Sequence, residues 1–226
     1  MKYRHEIKYM ISKNTGEILK QKLKTIMDID KNSYNEDNTY QIRSLYFDDP
    51  QNTAYYEKLD GVEYRKKYRI RIYNQDDNFI RLECKYKHNN MTSKESVLIT
   101  KEICSKIING NIDDIDISKN DILKKFIIDM KTKKLAPSVI VDYKRLAYTY
   151  PVSEVRITFD SEIKSGVYNC DLFDKSVNYA SVIDDDYLVL EVKYNEILPE
   201  MIAIILSTVS LNREAYSKFA TCRNLK

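Results

Sequence analysis

The chain has 226 residues and a mass of 26.7 kDa, a length that suits one sizeable domain, and we expect a single domain over residues 1–226. Its 37 Lys and Arg residues against 34 Asp and Glu residues give a net charge of +3, which argues against a general nucleic-acid-coating protein. The 43% of hydrophobic residues exclude a wholly disordered chain, and only 4 Gly and 4 Pro exclude collagen-like and most glycine-loop nucleotide-binding designs.

The first half of the chain predicts three strands and one helix. Residues 3–9, 64–73 and 80–87 alternate apolar and charged side chains, which is the spacing of strands with two unlike faces. Residues 15–27 place Ile18, Leu19, Leu23 and Ile26 at helical spacing. The polar stretches 30–38 and 88–93 predict loops.

The second half predicts three helices and three strands. Residues 100–108 and 119–133 each carry apolar side chains on one helical face, and the polar stretch 109–120 predicts a loop. Residues 138–148, 155–159 and 187–194 again alternate as strands do. Residues 199–211 are apolar almost all round, which predicts a buried helix that begins near Pro199.

The predicted strands share one unusual feature, an apolar face opposite a charged and mostly cationic face. Any single strand of this kind is typical of an antiparallel sheet with one solvated side. Rows of cations on several strands would repel one another, however, unless a shared anion offsets the repulsion. Because the helices need apolar sheet surface to cover, we expect the charged faces to turn inward around a basic lumen. The charged faces carry Arg4, Glu6, Lys8, Arg65, Lys67, Arg69, Arg71, Arg81, Glu83, Lys85, Lys87, Tyr143, Arg145, Arg156, Thr158, Asp160, Glu191 and Lys193.

A basic lumen predicts binding of a phosphate chain, because Arg binds phosphate oxygens in pairs and Lys supplies point charge. The carboxylates Glu6, Glu83 and Glu191 have two interpretations. Each forms an ion pair with a neighbouring cation, or it holds a divalent metal that bridges phosphate oxygens. We favour the metal for Glu191 and leave both interpretations open for Glu6 and Glu83.

Other site chemistries lack their residues in this sequence. No glycine-rich phosphate loop occurs, and His5 and His88 are too few for a histidine triad or a histidine zinc site. The 4 cysteines form no CxxC pair, so we expect reduced thiols. The start of the chain lacks the apolar stretch of a signal peptide, and the longest apolar run, residues 201–206, is far shorter than a membrane span. We therefore expect a cytoplasmic location.

Eight short motifs carry a resemblance to a known family. They are RHEIKY at 4–9, SLYFD at 44–48, KYRIRIY at 67–73, LECK at 82–85, YKRLAY at 143–148, VRITFD at 155–160, LEVK at 190–193 and SKF at 217–219. In this order they resemble the polyphosphate polymerase (VTC) domain, the catalytic domain of the vacuolar transporter chaperone complex. That family is one of the triphosphate tunnel metalloenzymes. The ordered set spans nearly the whole chain, although no single motif is specific.

The resemblance implies an α+β fold in which an antiparallel β-barrel forms a tunnel with a charged interior and surrounding helices. It implies transfer of the γ-phosphate of ATP onto a growing polyphosphate chain, with Mn²⁺ or Mg²⁺ as cofactor. By position, the implied catalytic residues are Lys8, Arg69, Arg71, Arg145 and Arg156. The implied substrate-binding residues are Lys85, Lys94, Tyr143, Lys193 and Lys218. The implied metal ligand is Glu191, with Glu6 and Glu83 as further candidates.

The chain departs from the family near its C-terminal end. The family often has a second basic residue three positions before Lys218, where this chain has Ala215, so Arg213 or Arg223 would have to substitute. The departure keeps two alternatives open, a metal-dependent triphosphatase on the same fold and a non-catalytic polyphosphate-binding module. The expected partners are ATP or another triphosphate, and polyphosphate, with no nucleic acid. A membrane partner stays open, because relatives can be coupled to membrane segments.

Overall fold

The computed structural model describes residues 2–33, 37–118 and 120–225, and within them the chain forms ten strands and six helices. The strands are β1 (Arg4–Ser12), β2 (Asp28–Ile29), β3 (Thr39–Asp48), β4 (Tyr64–Tyr73), β5 (Asp76–His88), β6 (Met91–Ile99), β7 (Ala136–Thr149), β8 (Arg156–Ser165), β9 (Ala180–Ser181) and β10 (Tyr187–Tyr194). The helices are α1 (Lys13–Leu23), α2 (Thr53–Leu59), α3 (Lys101–Ile108), α4 (Asp121–Lys133), α5 (Glu200–Ser207) and α6 (Lys218–Arg223).

Within the described residues, eight of the strands close into a ring in which each neighbouring pair is antiparallel. The order around the ring is β7, β3, β4, β5, β6, β1, β10 and β8, and pairing of β8 with β7 completes it. The short strands β2 and β9 pair with β7 and β8. Closure gives each strand one inner and one outer face. The predicted fold class, an α+β tunnel built from antiparallel strands, is confirmed.

Most of the helices cover the outer face of the ring. Leu19 of α1 and Ile202 of α5 pack with the side chains of β1, β8 and β10 that alternate with their charged residues. Phe126 of α4 and Ile107 of α3 pack with the corresponding apolar side chains of β4 and β5. Apolar surface is thereby removed from water on the outside of the ring, which leaves the charged faces for the inside. This arrangement agrees with the prediction from the sequence.

Helix α6 is different, because it packs on inward-facing side chains. Phe219 belongs to a buried cluster with Tyr46 of β3 and with Val141 and Tyr143 of β7. The Phe219 and Tyr46 ring centroids are 5.0 Å apart. The β3 and β7 side of the lumen is therefore partly apolar, and α6 is anchored there beside the charged side of the lumen.

The sequence predictions for residues 88–93 and for the last long helix were wrong. Residues 88–93 are not a loop: β5 runs to His88, Asn89 takes a positive φ of 51° in a tight turn, and β6 begins at Met91. The helix predicted at 199–211 spans only Glu200–Ser207, and one side of it is open, with Met201 and Ile204 55% and 57% exposed. The sequence of α5 is apolar on every side of the helix, but only part of the helix surface is buried.

Other boundaries differ by a few residues, and the helices α2 and α6 and the strands β2, β3, β6 and β9 were not predicted. Helix α1 begins at Lys13, behind the N-cap Ser12, and ends at Leu23 rather than at residue 27. The start predicted at Lys119 lies outside the described residues, and α4 begins at Asp121 behind the N-cap Asn120. Helix α2 buries none of its own residues, so its sequence has no apolar stripe to reveal it. Within the part of the chain that the structure describes, no helix is long and apolar enough to cross a membrane.

Candidate active site

The interior of the ring contains two adjoining cavities of about 870 and 600 Å³. Both cavities are lined by Glu6, Arg69, Arg71, Lys85, Thr92, Arg145 and Lys193, so they are two parts of one lumen. Residues of α2 and of the segment around α6 also line the larger part. Residues of the turn between β4 and β5 also line the smaller part. The charged layer between the two parts is the centre of the candidate site.

The larger cavity carries a clear excess of positive charge among the residues described. Its cations are Lys8, Lys58, Arg65, Lys67, Arg69, Arg71, Lys85, Lys87, Arg145, Lys193, Arg213 and Lys218. Its carboxylates are Glu6, Glu63, Glu191 and Glu214. Such an excess, enclosed by a protein wall, raises the local concentration of anions. The larger cavity therefore favours anionic ligands over cationic ones.

Glu83 holds one wall of the lumen in place. It is fully buried, and it accepts hydrogen bonds from Arg69 Nε at 2.7 Å and from Lys94 Nζ at 2.5 Å. Burial alone would raise the pKa of Glu83, but the adjacent charges of Arg69, Arg71 and Lys94 outweigh burial and hold that pKa well below its usual range. Glu83 is therefore a carboxylate anion that fixes two cations at the lumen surface.

Glu6 on β1 and Glu191 on the paired strand β10 both lie close to the ammonium group of Lys8. Lys8 Nζ lies 3.4 Å from a Glu6 oxygen and 3.8 Å from a Glu191 oxygen. Lys85 Nζ is 2.5 Å from Glu6, and Lys193 Nζ is 2.7 Å from Glu191. Burial raises the pKa of Glu191, but Lys193 and Lys8 are among the cations that lower it well below its usual range. Both carboxylates are thus ionised next to several cations.

Asp160 anchors Arg145 and Lys218. Arg145 donates two hydrogen bonds to its carboxylate, from Nε at 2.6 Å and from Nη2 at 2.7 Å, and Lys218 Nζ lies 2.6 Å away. Burial would raise the pKa of Asp160, but these two cations lower it to about 2. The hydroxyl of Ser217 accepts a hydrogen bond from the Ala220 amide and caps α6, which places Lys218 at the lumen. The two hydrogen bonds from Arg145 to Asp160 fix the plane of the Arg145 guanidinium group.

Neutral hydroxyl groups orient the remaining guanidinium groups. Arg71 donates to Ser44 Oγ at 2.9 Å and to Tyr143 Oη at 3.2 Å. Arg156, further along the lumen, donates to Tyr40 Oη at 2.8 Å and pairs with Asp30 at 2.7 Å. Because a hydroxyl carries no charge, the hydrogen bonds to Ser44 and Tyr143 orient Arg71 without neutralising it, whereas Asp30 offsets part of the charge of Arg156.

The lumen brings together most of the residues singled out from the sequence. The larger cavity is lined by Lys8, Arg69, Arg71, Lys85, Tyr143, Arg145, Lys193, Lys218, Glu6 and Glu191. Lys94 and Arg156 line only the smaller cavity, and Glu83 lies behind the Arg69 and Lys94 side chains. Ala215 and Arg213 both line the larger cavity, whereas Arg223 donates to Asn52 Oδ1 at 2.8 Å. Of the two possible substitutes for the missing basic residue, Arg213 is the one at the lumen.

Sequence reasoning missed several residues that shape the site. Alternation predicts Asp160 on the charged face, but no pattern in the sequence indicates that it anchors two cations from β7 and α6. Tyr46, which accepts a hydrogen bond from Arg69 at 2.9 Å, has the same strand phase as Ser44 and could have been found by that phase. Asp30 follows β2 in a loop, so no periodic signal could have identified it.

A hard divalent cation such as Mg²⁺ binds oxygen ligands, which in the lumen are the carboxylates. Among the described residues, no group of three or more His, Cys, Asp or Glu side chains is arranged to hold a metal ion. Mg²⁺ commonly binds through one or two carboxylates together with substrate phosphate oxygens, rather than in an all-protein cage. Glu6 and Glu191, both near Lys8 Nζ, offer carboxylate oxygens of that kind. The residues therefore fit a cation that arrives with a phosphate ligand.

A closed antiparallel ring with cationic residues inside and helices outside defines the class of triphosphate-tunnel folds. The chain belongs to the VTC domain family, whose family model matches residues 3–225. No curated protein sequence matches the chain.

Solved structures share the fold at low sequence identity. A candidate adenylyl cyclase from Hippeastrum with a dominant triphosphatase activity is 15% identical, with a TM-score of 0.58 over 99% of this chain and 96% of that one. A candidate adenylate cyclase from Vibrio parahaemolyticus is 14% identical, with a TM-score of 0.53 over 97% of both chains. Another, from Bacillus halodurans, is 12% identical, with a TM-score of 0.52 over 92% of this chain and 89% of that one. At these identities the likeness concerns the fold alone.

Proposed function

We propose that the protein is a metal-dependent phosphotransferase that moves the γ-phosphate of ATP onto a growing polyphosphate chain inside the lumen. The observation that carries the proposal is the excess of Lys and Arg over Glu in a lumen closed by strands on all sides. Membership of the VTC domain family supports it. The lumen has two adjoining parts, which would give the nucleotide and the chain end separate places on either side of the charged layer.

The side chains of the charged layer would position the reacting phosphates. Arg69, Arg71 and Arg145 line both cavities, so each can reach a phosphate at the junction of the two parts. Their guanidinium groups are already held by Glu83, Ser44 and Asp160, so little reorganisation is needed as charge develops on the transferred group. Lys8 and Lys218 would add point charge. The main contribution of the protein would be positioning and electrostatic stabilisation.

Acid–base chemistry has a small role in this scheme. The acceptor, a phosphate or polyphosphate end, is already ionised and needs no strong general base. Among the described residues that line either cavity there is no histidine. His5 stacks on Tyr194 and His88 stacks on Tyr64, at 4.8 and 4.1 Å between ring centroids. The residues of the lumen are therefore consistent with transfer between two phosphate groups.

Glu191, together with Glu6, would hold Mn²⁺ or Mg²⁺. The cation would supply positive charge to phosphate oxygens and help to align them. Glu83 is the weaker candidate, because Arg69 and Lys94 already take both of its oxygens. The ion pairs of Glu191 and Glu6 are shared among several cations, so either carboxylate could exchange a lysine contact for a metal contact.

A triphosphatase is the second candidate function, in which water replaces the polyphosphate acceptor. The observation in its favour is the dominant triphosphatase activity of the Hippeastrum protein, which shares the fold. This is an argument by analogy of fold, because the two sequences are only 15% identical.

One experiment separates these functions. The purified protein is incubated with ATP and Mn²⁺ or Mg²⁺, and the products are resolved on a polyphosphate gel and assayed for orthophosphate. The proposal predicts long chains that need the metal. Orthophosphate formed in a fixed ratio to ADP, without chains, would identify a triphosphatase. Neither product, together with tight polyphosphate binding, would identify a binding module. A Glu95→Gln variant, altered on the outer face of β6, is the matched control and should behave as the unaltered protein does.

A further inference from the structure

Lys67 is a lumen lysine that has no carboxylate partner within 4 Å in the described part of the chain. Five other lysines of the lumen each have one, namely Lys8, Lys85, Lys94, Lys193 and Lys218. Lys67 is half-buried and lines the larger cavity, so its amine is open to a small molecule that enters the lumen. Its Nζ lies 4.5 Å from the centre of the Phe219 ring.

The surroundings of Lys67 disfavour its protonated form. The charged groups that face it from neighbouring elements are Arg65 of β4, Lys8 of β1, Lys85 of β5, and Lys58 and Glu57 of α2. Burial, followed by the repulsion of Arg65, Lys8, Lys85 and Lys58, lowers the pKa of Lys67 to about 6. The Phe219 ring face favours an ammonium, but one aromatic contact is a weaker influence than burial among four cations. At neutral pH the amine is therefore largely uncharged and nucleophilic.

Arg65, Lys8, Lys85 and Lys58 line the same cavity as this amine and present positive charge to it. We propose that Lys67 is a modification site that is acylated by acyl phosphates, such as acetyl phosphate, which the surrounding cations hold by the phosphate. The Nζ lone pair attacks the acyl carbon and forms an amide bond, and the bond from that carbon to the phosphate oxygen breaks. The electron pair leaves with inorganic phosphate, and the proton lost from nitrogen passes to the phosphate or to water.

Acylation would also change what the lumen can bind. An acetylated Lys67 can no longer take up a proton when a polyanion enters, and the added group occupies space between Arg65 and Phe219. The modified protein should therefore bind tripolyphosphate several-fold more weakly. This consequence rests on the anion-binding part of the proposed function, whereas the modification itself does not, because it is read by mass and not by turnover.

The test compares two acetylating reagents on the full chain at pH 7.5. Acetyl phosphate carries a phosphate and acetic anhydride does not, and peptide mass spectrometry gives the acetylation rate at each lysine. An exposed lysine of ordinary pKa is only about 0.1% uncharged at this pH. We expect acetyl phosphate to modify Lys67 at least about tenfold faster than the exposed Lys24. The preference for Lys67 should be smaller with the anhydride. Saturating tripolyphosphate should suppress acetylation of Lys67 and leave acetylation of Lys24 unchanged.

Variants sharpen the test. Arg65→Gln should lower the preference for Lys67, because it removes one repelling cation and one phosphate contact. Lys124→Gln, which removes an exposed cation of α4 outside both cavities, is the control and should leave the preference unchanged. Equal rates at Lys67 and Lys24 with acetyl phosphate would overturn the proposal. So would a rate at Lys67 that tripolyphosphate does not change. Lys58 and Lys87, which also lack a carboxylate within 4 Å in the described residues, should rank behind Lys67.

Discussion

Glu191 lies where three cations of the lumen meet. Lys193 is 2.7 Å from its carboxylate, Arg145 3.6 Å and Lys8 3.8 Å. We predict that Glu191→Gln lowers turnover of ATP at least about 100-fold while triphosphate binding stays measurable, because Gln keeps the shape and loses the charge that a metal needs. Turnover with Mn²⁺ and binding without metal are measured on the same preparation.

Glu95→Gln serves as the control for the loss of a carboxylate from a ring strand. Near-normal metal-dependent turnover by Glu191→Gln would show that Glu191 is not the metal ligand. Its role would then be the ion pair with Lys193. The binding measurement separates this outcome from misfolding, because an unfolded variant would bind no triphosphate.

Asp160 is a stabilising residue as well as an anchor in the lumen. Its replacement by Asn leaves Arg145 and Lys218 without their carboxylate in a buried place, and breaking such a pair costs about 3–5 kcal/mol. We predict a loss of that size in the free energy of unfolding of Asp160→Asn, measured by urea denaturation at pH 7. Glu162→Gln on the same strand, which alters a partly exposed pair with Lys144, should cost less than about 1 kcal/mol. Equal losses in the two variants would contradict the anchoring role.

The low pKa of Asp160 also predicts how acid affects stability. The pKa is lowered from an ordinary value of 3.8 to about 2 on folding, so the folded state favours the ionised form. The contribution is fully present above pH 4 and is lost as the pH falls through about 2, and it amounts to about 2 kcal/mol. Urea unfolding between pH 5 and pH 2 should show a steeper fall for the unaltered protein than for Asp160→Asn. Parallel curves would contradict the lowered pKa.

At the scale of the element, alternation of side chains identified six of the eight ring strands, whereas β3 and β6 were missed. In β4 the residues Arg65, Lys67, Arg69 and Arg71 all line the larger cavity, as their spacing predicts. The alternation works because one face of the strand is packed under a helix and the other faces the lumen. Successive residues therefore point alternately to the helix and to the lumen, and the sequence alternates between apolar and charged residues in the same way.

The same physics explains which elements the sequence did not reveal. Strand β6 mixes Thr92, Ser93 and Lys94 on the side of the smaller cavity, so its alternation is weaker than that of β4 and it was taken for the end of a loop. Helix α5 presents apolar residues to solvent, which a pattern rule interprets as burial. Contacts between distant elements, such as that of Asp160 with Lys218, depend on the closed ring, and no local pattern encodes them.

The N-cap of helix α4 tests directly how a local sequence signal stabilises a helix. Asn120 accepts hydrogen bonds from the amides of Ile122 and Leu123 and so caps α4. Phe126 of this helix packs against the outer face of the ring. We predict that Asn120→Ala lowers the free energy of unfolding by about 1 kcal/mol. The exposed Lys124→Ala is the control and should change it by less than about 0.5 kcal/mol. A cost no greater than that of the control, measured by urea denaturation, would show that the cap does not stabilise α4.

At the scale of the whole molecule, closing the ring creates a repulsion that a ligand can relieve. Within the described residues, cations on seven of the eight ring strands line the lumen, and the carboxylates Glu6, Glu83, Glu191 and Asp160 neutralise only part of their charge. A chain of phosphates that enters the lumen would offset the remainder. The folded protein should then be more stable with such a ligand than without it, because the unfolded chain has no lumen to hold it.

Thermal unfolding with tripolyphosphate, long-chain polyphosphate, orthophosphate and duplex DNA at one ionic strength tests this most directly. A ligand at 100 times its Kd adds about 2.7 kcal/mol, which for a domain of this size raises Tm by roughly 5–11 °C. We predict that rise for the two phosphate chains, with a smaller effect at higher salt and little effect of orthophosphate or DNA. Arg71→Gln should reduce the rise, and the exposed Lys101→Gln should not. Equal shifts with DNA and tripolyphosphate, or no shift with either phosphate chain, would contradict binding in the lumen.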